Sequence, residues 1–424
     1  MKILVIGGGG REHAIIAALA KSPKVAEIHA APGNGGIASL AECHDVKATD
    51  IPGVVALSKK LGPDWVFVAP DDPLVLGMVD ELESAGFNTF GPRKNAAVLE
   101  GSKKFSKDFM KRHKIPTADY AAFTDAGEAT SYLKSQNSYP AVVKCDGLAL
   151  GKGVIIAQNE LEATTAVQSM LIGGKFGDSG KQIVIEEYLE GTEVTVLAFT
   201  DGRTVVPMPA STDHKRTFDG DKGLNTGGMG VVAPVPYYTV EIADECMRNI
   251  FQPTINGMAG EGRPFKGCLY FGLMLTNSGV KVIEYNCRFG DPEAQAVLPL
   301  LETDLMDIIE AVREERLAGM GVKFSNEKSA CVVMASGGYP EKYSTGYSIS
   351  GLDEAGDVQV YHAGTKIENS ELVTAGGRVL AVVGVADDLE LALDKAYSAV
   401  KTIKFNNAHY RTDIGKKAIE SAQR

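Results

Sequence analysis

Lys-Val-Ile-Glu-Tyr-Asn-Cys-Arg-Phe-Gly-Asp, residues 281–291, is the stretch on which the reading of this chain turns. Val282 to Cys287 alternates as a strand does, so side chains two apart share a face. Ile283, Tyr285 and Cys287 are expected on one side, and Glu284, Asn286 and Arg288 on the other. A carboxylate, an amide and a guanidinium on one face are costly to bury unpaired. A hard cation such as Mg²⁺ with a phosphate beside it would satisfy all three. The alternative is a solvated edge-strand face, so the stretch needs support from the rest of the chain.

The 424 residues allow two to four domains with substantial cores. Hydrophobic residues make up 44% and charged residues 23%, an ordinary globular profile. The net charge of −11 and the lack of a long basic run argue against a nucleic-acid partner. The six cysteines (43, 145, 246, 268, 287 and 331) lie far apart with no Cys-x-x-Cys pair, as expected for reduced thiols in a cytoplasmic protein. Met1 to Ile6 runs at once into glycines and Arg11-Glu12-His13, so it reads as a first strand rather than a signal peptide. No 18-residue apolar run offers a membrane span.

Strands are predicted over 2–6, 27–31, 65–69 and 88–90, with helices over 11–21, 53–61 and 74–85 between them. This is a parallel α/β unit closed by Gly91-Pro92. A helix follows over 102–113, ended before Pro116. Residues 117–190 form a block with strands at 141–144, 154–157 and 182–187 and two glycine-rich loops, 146–153 and 173–180. Strands at 194–199, 269–276 and 281–286 come next, with helices near 239–259 and 302–318. The last hundred residues add strands near 329–335 and 378–385 and a helix over 387–401.

Gly7-Gly-Gly-Gly10 links a strand to a helix, where exposed N–H groups and the helix dipole suit an anion. Glu12 and the Ala30-Ala31-Pro32-Gly33 strand end do not match a dinucleotide fingerprint. The loop serves either a phosphorylated small molecule or tight strand-to-helix packing. Lys144 closes a strand, and Lys152 stands between Gly151 and Gly153, a composition suited to phosphate. The spacing is wrong for a P-loop. At Glu186-Glu187-Tyr188-Leu189 a strand end can present backbone groups to an adenine, and Glu193 can accept from ribose hydroxyls. Asp213-His-Lys-Arg216 and Asn225-Thr-Gly-Gly-Met-Gly230 frame a charged loop suited to a charged small molecule, while His214 reads as a hydrogen-bonding loop residue. There is no Gly-x-Ser-x-Gly elbow, no His-Glu-x-x-His and no kinase catalytic loop.

In this order the motifs resemble the ATP-grasp superfamily, and within it the phosphoribosylamine–glycine ligase family. The match rests on Gly9-Gly-Arg-Glu-His-Ala14, Pro32-Gly-Asn34, Leu99-Glu-Gly-Ser-Lys103, Asp146-Gly-Leu-Ala149, the Asp213–Arg216 and Asn225–Gly230 pair, Asn286-Cys-Arg-Phe-Gly-Asp-Pro-Glu293, His362-Ala-Gly-Thr365 and Arg411-Thr-Asp-Ile-Gly415. It therefore spans nearly the whole chain.

The resemblance implies an α/β and α+β multidomain fold. Residues 1–101 would form a parallel pre-ATP-grasp domain and 102–323 the ATP-grasp core, with a lid at about 117–190. Residues 324–424 would form a small C-terminal α+β domain. It implies a monomer joining 5-phosphoribosylamine to glycine with ATP as co-substrate and Mg²⁺ or Mn²⁺ as metal, in purine synthesis. Glu284 and Asn286 would hold the metal. Lys144 and Lys104 would touch ATP phosphates under the loop carrying Gly151, Lys152 and Gly153. Glu186, Glu187, Tyr188 and Leu189 would line the adenine and Glu193 the ribose. Arg288 would face the transferring phosphate or the glycine carboxylate, and Asp213, Lys215 and Arg216 the substrate. Gly9, Gly10 and Asn34 would help hold phosphoribosylamine. The family's usual Glu in the first domain is Asp71 here, Leu224 replaces a proline before Asn225, and Leu269–Thr276 lacks an acid that many relatives use for metal.

Overall fold

The computed structural model describes residues 1–149, 153–174 and 176–422. The first ninety residues build a five-stranded parallel sheet in the order Glu42–Cys43, Glu27–Pro32, Lys2–Gly7, Trp65–Val68, Asn88–Phe90. Its central strand is apolar on both faces, as a parallel sheet covered on both sides requires. Ile3 and Val5 pack with Ala14, Ile15 and Leu19 of the helix Gly10–Leu19, while Leu4 and Ile6 pack with Val54, Leu57 and Leu82 on the opposite side.

Helix ends follow local chemistry. Asp50 accepts from the Gly53 N–H, Pro52 sits in the first turn where it costs nothing, and Gly62 (φ +61°) closes Ile51–Leu61. The single helix predicted over 74–85 is instead two, Asp71–Leu76 and Met78–Ser84, because Gly77 at φ +99° breaks it. The predicted 239–259 helix is continuous only through a π turn at Met247–Phe251, just ahead of Pro253.

A four-stranded antiparallel sheet (Val205–Pro207, Thr192–Asp201, Lys266–Thr276, Gly279–Asn286) forms the floor of the central cleft. Above it stands a second four-stranded sheet of Tyr120–Phe123, Ile183–Glu187, Ala141–Cys145 and Val154–Ala157. With the helices Ala126–Gln136 and Glu160–Leu171 it encloses a separate core of Leu133, Val143, Val167 and Ile185. The last sheet draws on both sides of residue 323: Thr212–Asp213 and Gly230–Ala233 pair into Lys328–Ser336, Arg378–Ala386 and Gln359–His362. Leu389–Thr402 covers it through Ala392, Ala396 and Val400. Among the described residues the cysteines form no disulfide. Among the described residues no helix is long and apolar enough to cross a membrane.

Candidate active site

The strand Gly279–Asn286 does not alternate evenly. Gly272 pairs with Glu284 and Leu273 with Val282, so Ile283 is an extra residue at a β-bulge. The expected shared face of Ile283 with Tyr285 and Cys287 is therefore corrected. Val280, Val282, Tyr285 and Cys287 enter the core, whereas Ile283 and Glu284 both line the cleft. At Gly272 an added Cβ would lie 3.1 Å from the Glu284 Cγ, so the facing strand leaves just enough room for that carboxylate. The cleft narrows between Glu193, Thr195, Asp213, Lys215, Tyr270 and Glu284.

Cations converge on Glu284. Burial alone pushes its carboxyl up, but Lys215, Lys144, Lys103 and Arg288 together hold it below the ordinary range. Lys215 Nζ also lies 2.8 Å from Glu193 Oε2. Asn286, two residues on, places an amide on the same strand beyond the bulge. Carboxylate and amide oxygens are hard donors of the kind Mg²⁺ takes when phosphates supply the remainder.

At one end of the cleft Arg288 faces Glu100 (3.3 Å) and Asp71 (3.5 Å), and its Nε is buried without a partner. Burial raises the Glu100 carboxyl to about 7 against the pull of Arg288. Glu100 also accepts from the Cys287 N–H at 2.6 Å, tying the 94–101 helix to the end of the strand that carries Glu284. Asp213 Oδ1 is likewise buried and unpartnered. Burial, then the nearby Glu293 carboxylate, pushes Asp213 well above its usual range. Asp291 pairs with Arg378 at 3.2 Å, and Arg378 donates to the Gly227 and Asp291 carbonyls at 2.7 and 2.8 Å, which fixes the glycine turn beside Asp213.

Across the cleft the second four-stranded sheet and the helix Lys103–Arg112 together contribute a buried triad. Glu186 accepts from Lys144 at 2.9 Å and Lys107 at 2.8 Å, and Lys144 also donates to the Ile283 carbonyl at 3.3 Å. Burial lowers Lys107 to about 8 despite Glu186. The Glu186 carboxylate is thus taken up by lysines. Its strand ends at Glu187, which reaches Lys281 at 2.8 Å, and Tyr188 and Leu189 follow it toward Glu193.

The glycine loop is anchored at its start. Asp146 Oδ1 accepts from the Lys104 N–H at 2.6 Å, and its carbonyl accepts from the Lys103 N–H, at the N-terminus of Lys103–Arg112. Gly153 accepts from the Cys145 N–H, while Gly151 and Lys152 lie outside the described residues. The expected phosphate contact of Lys104 does not fit its placement: its ammonium is 2.6 Å from Asp108 on the half-exposed side of the helix. Lys103 is the lysine in the cleft, donating to the Gly147 carbonyl at 3.0 Å, with its pKa lowered by burial and opposed by Glu284.

The amino-terminal loop adjoins the same place. A Cβ on Gly9 would lie 3.4 Å from Asp291 Oδ2, and one on Gly10 would collide with Gln295 Nε2. Glu12 takes the Gly9 N–H at 2.6 Å and pairs with Arg11, so one donor of the expected anion loop is already satisfied. Asn34 is fully engaged. Its amide donates to the Gly8 and His362 carbonyls and accepts from the Gly36 and Ile37 N–H groups, so it shapes the loop instead of offering a free polar atom. Arg216 donates to the Gly223 carbonyl within its own hairpin. His214 is buried: its Nε2 accepts from the Gly415 N–H, which leaves Nδ1–H to donate to the Gly230 carbonyl.

Sequence reasoning missed Lys103, Lys107, Glu100, Glu293 and Arg378. Glu100, Lys103 and Glu293 stand inside motifs quoted for the resemblance but were given no role, and Lys103 and Lys107 lie four apart on one helical face.

Three family models tile the chain: the phosphoribosylglycinamide synthetase N domain over residues 1–100, its ATP-grasp (A) domain over 101–294 and its C domain over 329–417. The chain is 46% identical over 416 residues to the phosphoribosylamine–glycine ligase of Clostridium acetobutylicum, covering 98% of this chain and 100% of the relative. It is 47% identical over 424 residues to that of Allochromatium vinosum, covering 99% of each. The crystal structure of the Thermotoga maritima phosphoribosylamine–glycine ligase matches with a TM-score of 0.84 at 33% identity, over 98% of this chain and 100% of that one. A biotin carboxylase domain from Hydrogenobacter thermophilus shares the fold alone, with a TM-score of 0.71 at 18% identity over 96% and 91% of the two chains. With its motifs, its fold and its full-length relatives in agreement, the chain belongs to the phosphoribosylamine–glycine ligase family of ATP-grasp enzymes.

Proposed function

We propose that this protein joins glycine to 5-phosphoribosylamine, with ATP cleaved to ADP and phosphate, as a step of purine biosynthesis. The observation that carries this reading is the convergence of Lys103, Lys144, Lys215 and Arg288 on Glu284 in a chain whose net charge is −11. Concentrated positive charge in one cleft of an acidic protein suits a polyphosphate. The described groups include no activated nucleophile, and this chemistry needs none.

Glycine's carboxylate oxygen attacks the γ-phosphorus as the bond to the β-phosphate oxygen breaks, giving glycyl phosphate and ADP. The amine nitrogen of phosphoribosylamine then bonds to the glycyl carbonyl carbon, phosphate leaves, and the amine loses a proton. Catalysis is then positioning and charge neutralisation. Glu284 and Asn286 would hold a divalent cation, Mg²⁺ or Mn²⁺, which when bound offsets phosphate charge. Lys103 and Lys144 face the phosphates, the 186–189 segment the adenine, and Glu193 the ribose. Arg288, with an unpartnered Nε–H, meets the transferring phosphate or the glycine carboxylate. Asp213, whose affinity for a proton is raised, suits the proton released on acylation, and Lys215 holds Asp213's side of the cleft positive. Asp71 and the Gly9–Gly10 loop face phosphoribosylamine. The division at 101 and 323, the monomeric state and the cytoplasmic location belong to the same proposal.

The test is incubation with ATP, Mg²⁺, glycine and freshly generated phosphoribosylamine. ADP release that depends on glycine is expected, and it should fall by at least about a hundredfold in Glu284→Ala with the fold intact. Glycine-independent ADP release, or near-normal turnover in that variant, overturns the reading.

A further inference from the structure

The edge of the amino-terminal sheet carries a second constellation, outside the ligase cleft. Glu27 and His29 alternate along Glu27–Pro32, and Glu42 in the neighbouring strand Glu42–Cys43 alternates with His44 just past its end, so all four present side chains on one face. Parallel pairing of His29 with Glu42, and the His44 N–H donating to the Ala30 carbonyl, set this placement by backbone. His29 Nδ1 lies 2.9 Å from His44 Nε2 and 3.7 Å from Glu42 Oε2, and His44 Nε2 lies 3.9 Å from Glu42 Oε1.

We propose that His29, His44 and Glu42 form a site for one divalent transition-metal ion of the Zn²⁺ class, with Glu27 as its supporting carboxylate. Three ligands around tetrahedral Zn²⁺ at ~2.0–2.1 Å stand about 3.4 Å apart, close to the mean of the three separations here. Closing the site needs the two rings to part by a few tenths of an ångström and the exposed Glu42 to move in by a similar amount.

The carboxylate behind His29 is what separates this group from a chance cluster. Glu27 Oε1 accepts from His29 Nε2 at 2.8 Å, while its Oε2 is held by Lys2 at 3.1 Å. That bond places the His29 proton on Nε2 and leaves the Nδ1 lone pair directed at His44 and Glu42, the carboxylate–histidine–metal arrangement. His29 is buried and rigid, and Glu42 is exposed, which leaves an open entry and a fourth position for water. Cys43, between the two ligands on the strand, packs on Gly33 instead. Two imidazoles select a borderline ion over Mg²⁺, so the site would not compete for the metal of the ligase cleft.

The measurement is Zn²⁺ affinity by competition with a chromophoric chelator, on the full chain in excess Mg²⁺, with Co²⁺ absorption reporting geometry. One equivalent per chain is expected, with a tetrahedral Co²⁺ band. His44→Ala and Glu42→Gln should weaken binding at least tenfold, and Glu27→Gln by about tenfold. Both ligand variants sit at the sheet edge, and their folding is checked by cooperative urea unfolding and by unchanged ligase turnover. Absence of binding at micromolar Zn²⁺, or affinity undiminished in His44→Ala, overturns the site and leaves the pair as a histidine–histidine hydrogen bond. Either result is independent of the ligase reading, because the variants leave the cleft untouched.

Discussion

Glu100 is a carboxyl caught between a backbone N–H, an arginine and the protein interior. Burial raises its pKa to about 7 from an ordinary 4.5, with Arg288 only partly offsetting. A carboxyl held above its unfolded value stabilises the fold in its protonated form. That contribution is complete below pH 4.5 and is lost as pH rises through 7. The stability difference between the native chain and Glu100→Gln should therefore fall by about 3 kcal/mol between pH 4.5 and 7.5. Urea unfolding of both proteins at the two pH values measures it, and a difference flat with pH would show that Arg288 already keeps Glu100 ionised. Nothing in Leu99-Glu100-Gly101 announces this role, because Arg288 and the Cys287 N–H that define it lie 187 residues away for the N–H alone. Arg378 was hidden for the same reason. Glu284 drew attention because Asn286 and Arg288 follow it on one short stretch, whereas Lys215, Lys144 and Lys103, which also converge on it, are remote in sequence.

At the level of elements, the helix Lys103–Arg112 sorts its lysines by turn. Lys103 and Lys107 lie four apart and face inward, to the Gly147 carbonyl and Glu186, while Lys104 and Asp108 form the equivalent pair facing out. Lys103→Ala is expected to raise KM for ATP at least tenfold. Lys104→Ala should change it less than twofold, since an exposed i,i+4 pair is worth only ~0.3–0.5 kcal/mol. Steady-state kinetics with ATP as the varied substrate separates the two, and equal effects would reject the assignment. Sequence placed the helix and both lysines but chose the outer one. The helix and its end before Pro116 were readable, whereas the direction of the cleft was not. In the strand Gly279–Asn286, Tyr285 and Cys287 were legible as sharing one face, and Ile283 was misread because a bulge is a property of two strands, made here opposite Gly272.

Over the whole molecule, the two ends of the chain are stapled beside the cleft. Asn34 bonds to Gly8 and His362, and the His362 N–H donates to His13 Nδ1 at 2.8 Å. Asn34→Ala leaves two carbonyls and two N–H groups short of a partner and should cost about 2 kcal/mol of stability. Chemical denaturation reads it, with kcat expected to survive in the folded fraction. A loss of kcat without a loss of stability would instead make Asn34 a substrate contact. The first parallel α/β unit was visible from the alternation of apolar runs and the rest of the division followed only from the resemblance, but the sheet shared across residue 323 was not legible, since two-residue strands such as Thr212–Asp213 carry no periodic signal. That shared sheet has a consequence for how the protein comes into being on the ribosome. Lys103, Lys144, Asp213 and Glu284 all emerge before Lys328–Ser336, the strand that seats Gly230–Ala233 and through it Thr212–Asp213. Arg378, which clamps Gly227 and Asp291, emerges later still. A nascent chain can therefore carry all four of those cleft residues and still lack a cleft, and competence arrives only near the end of translation.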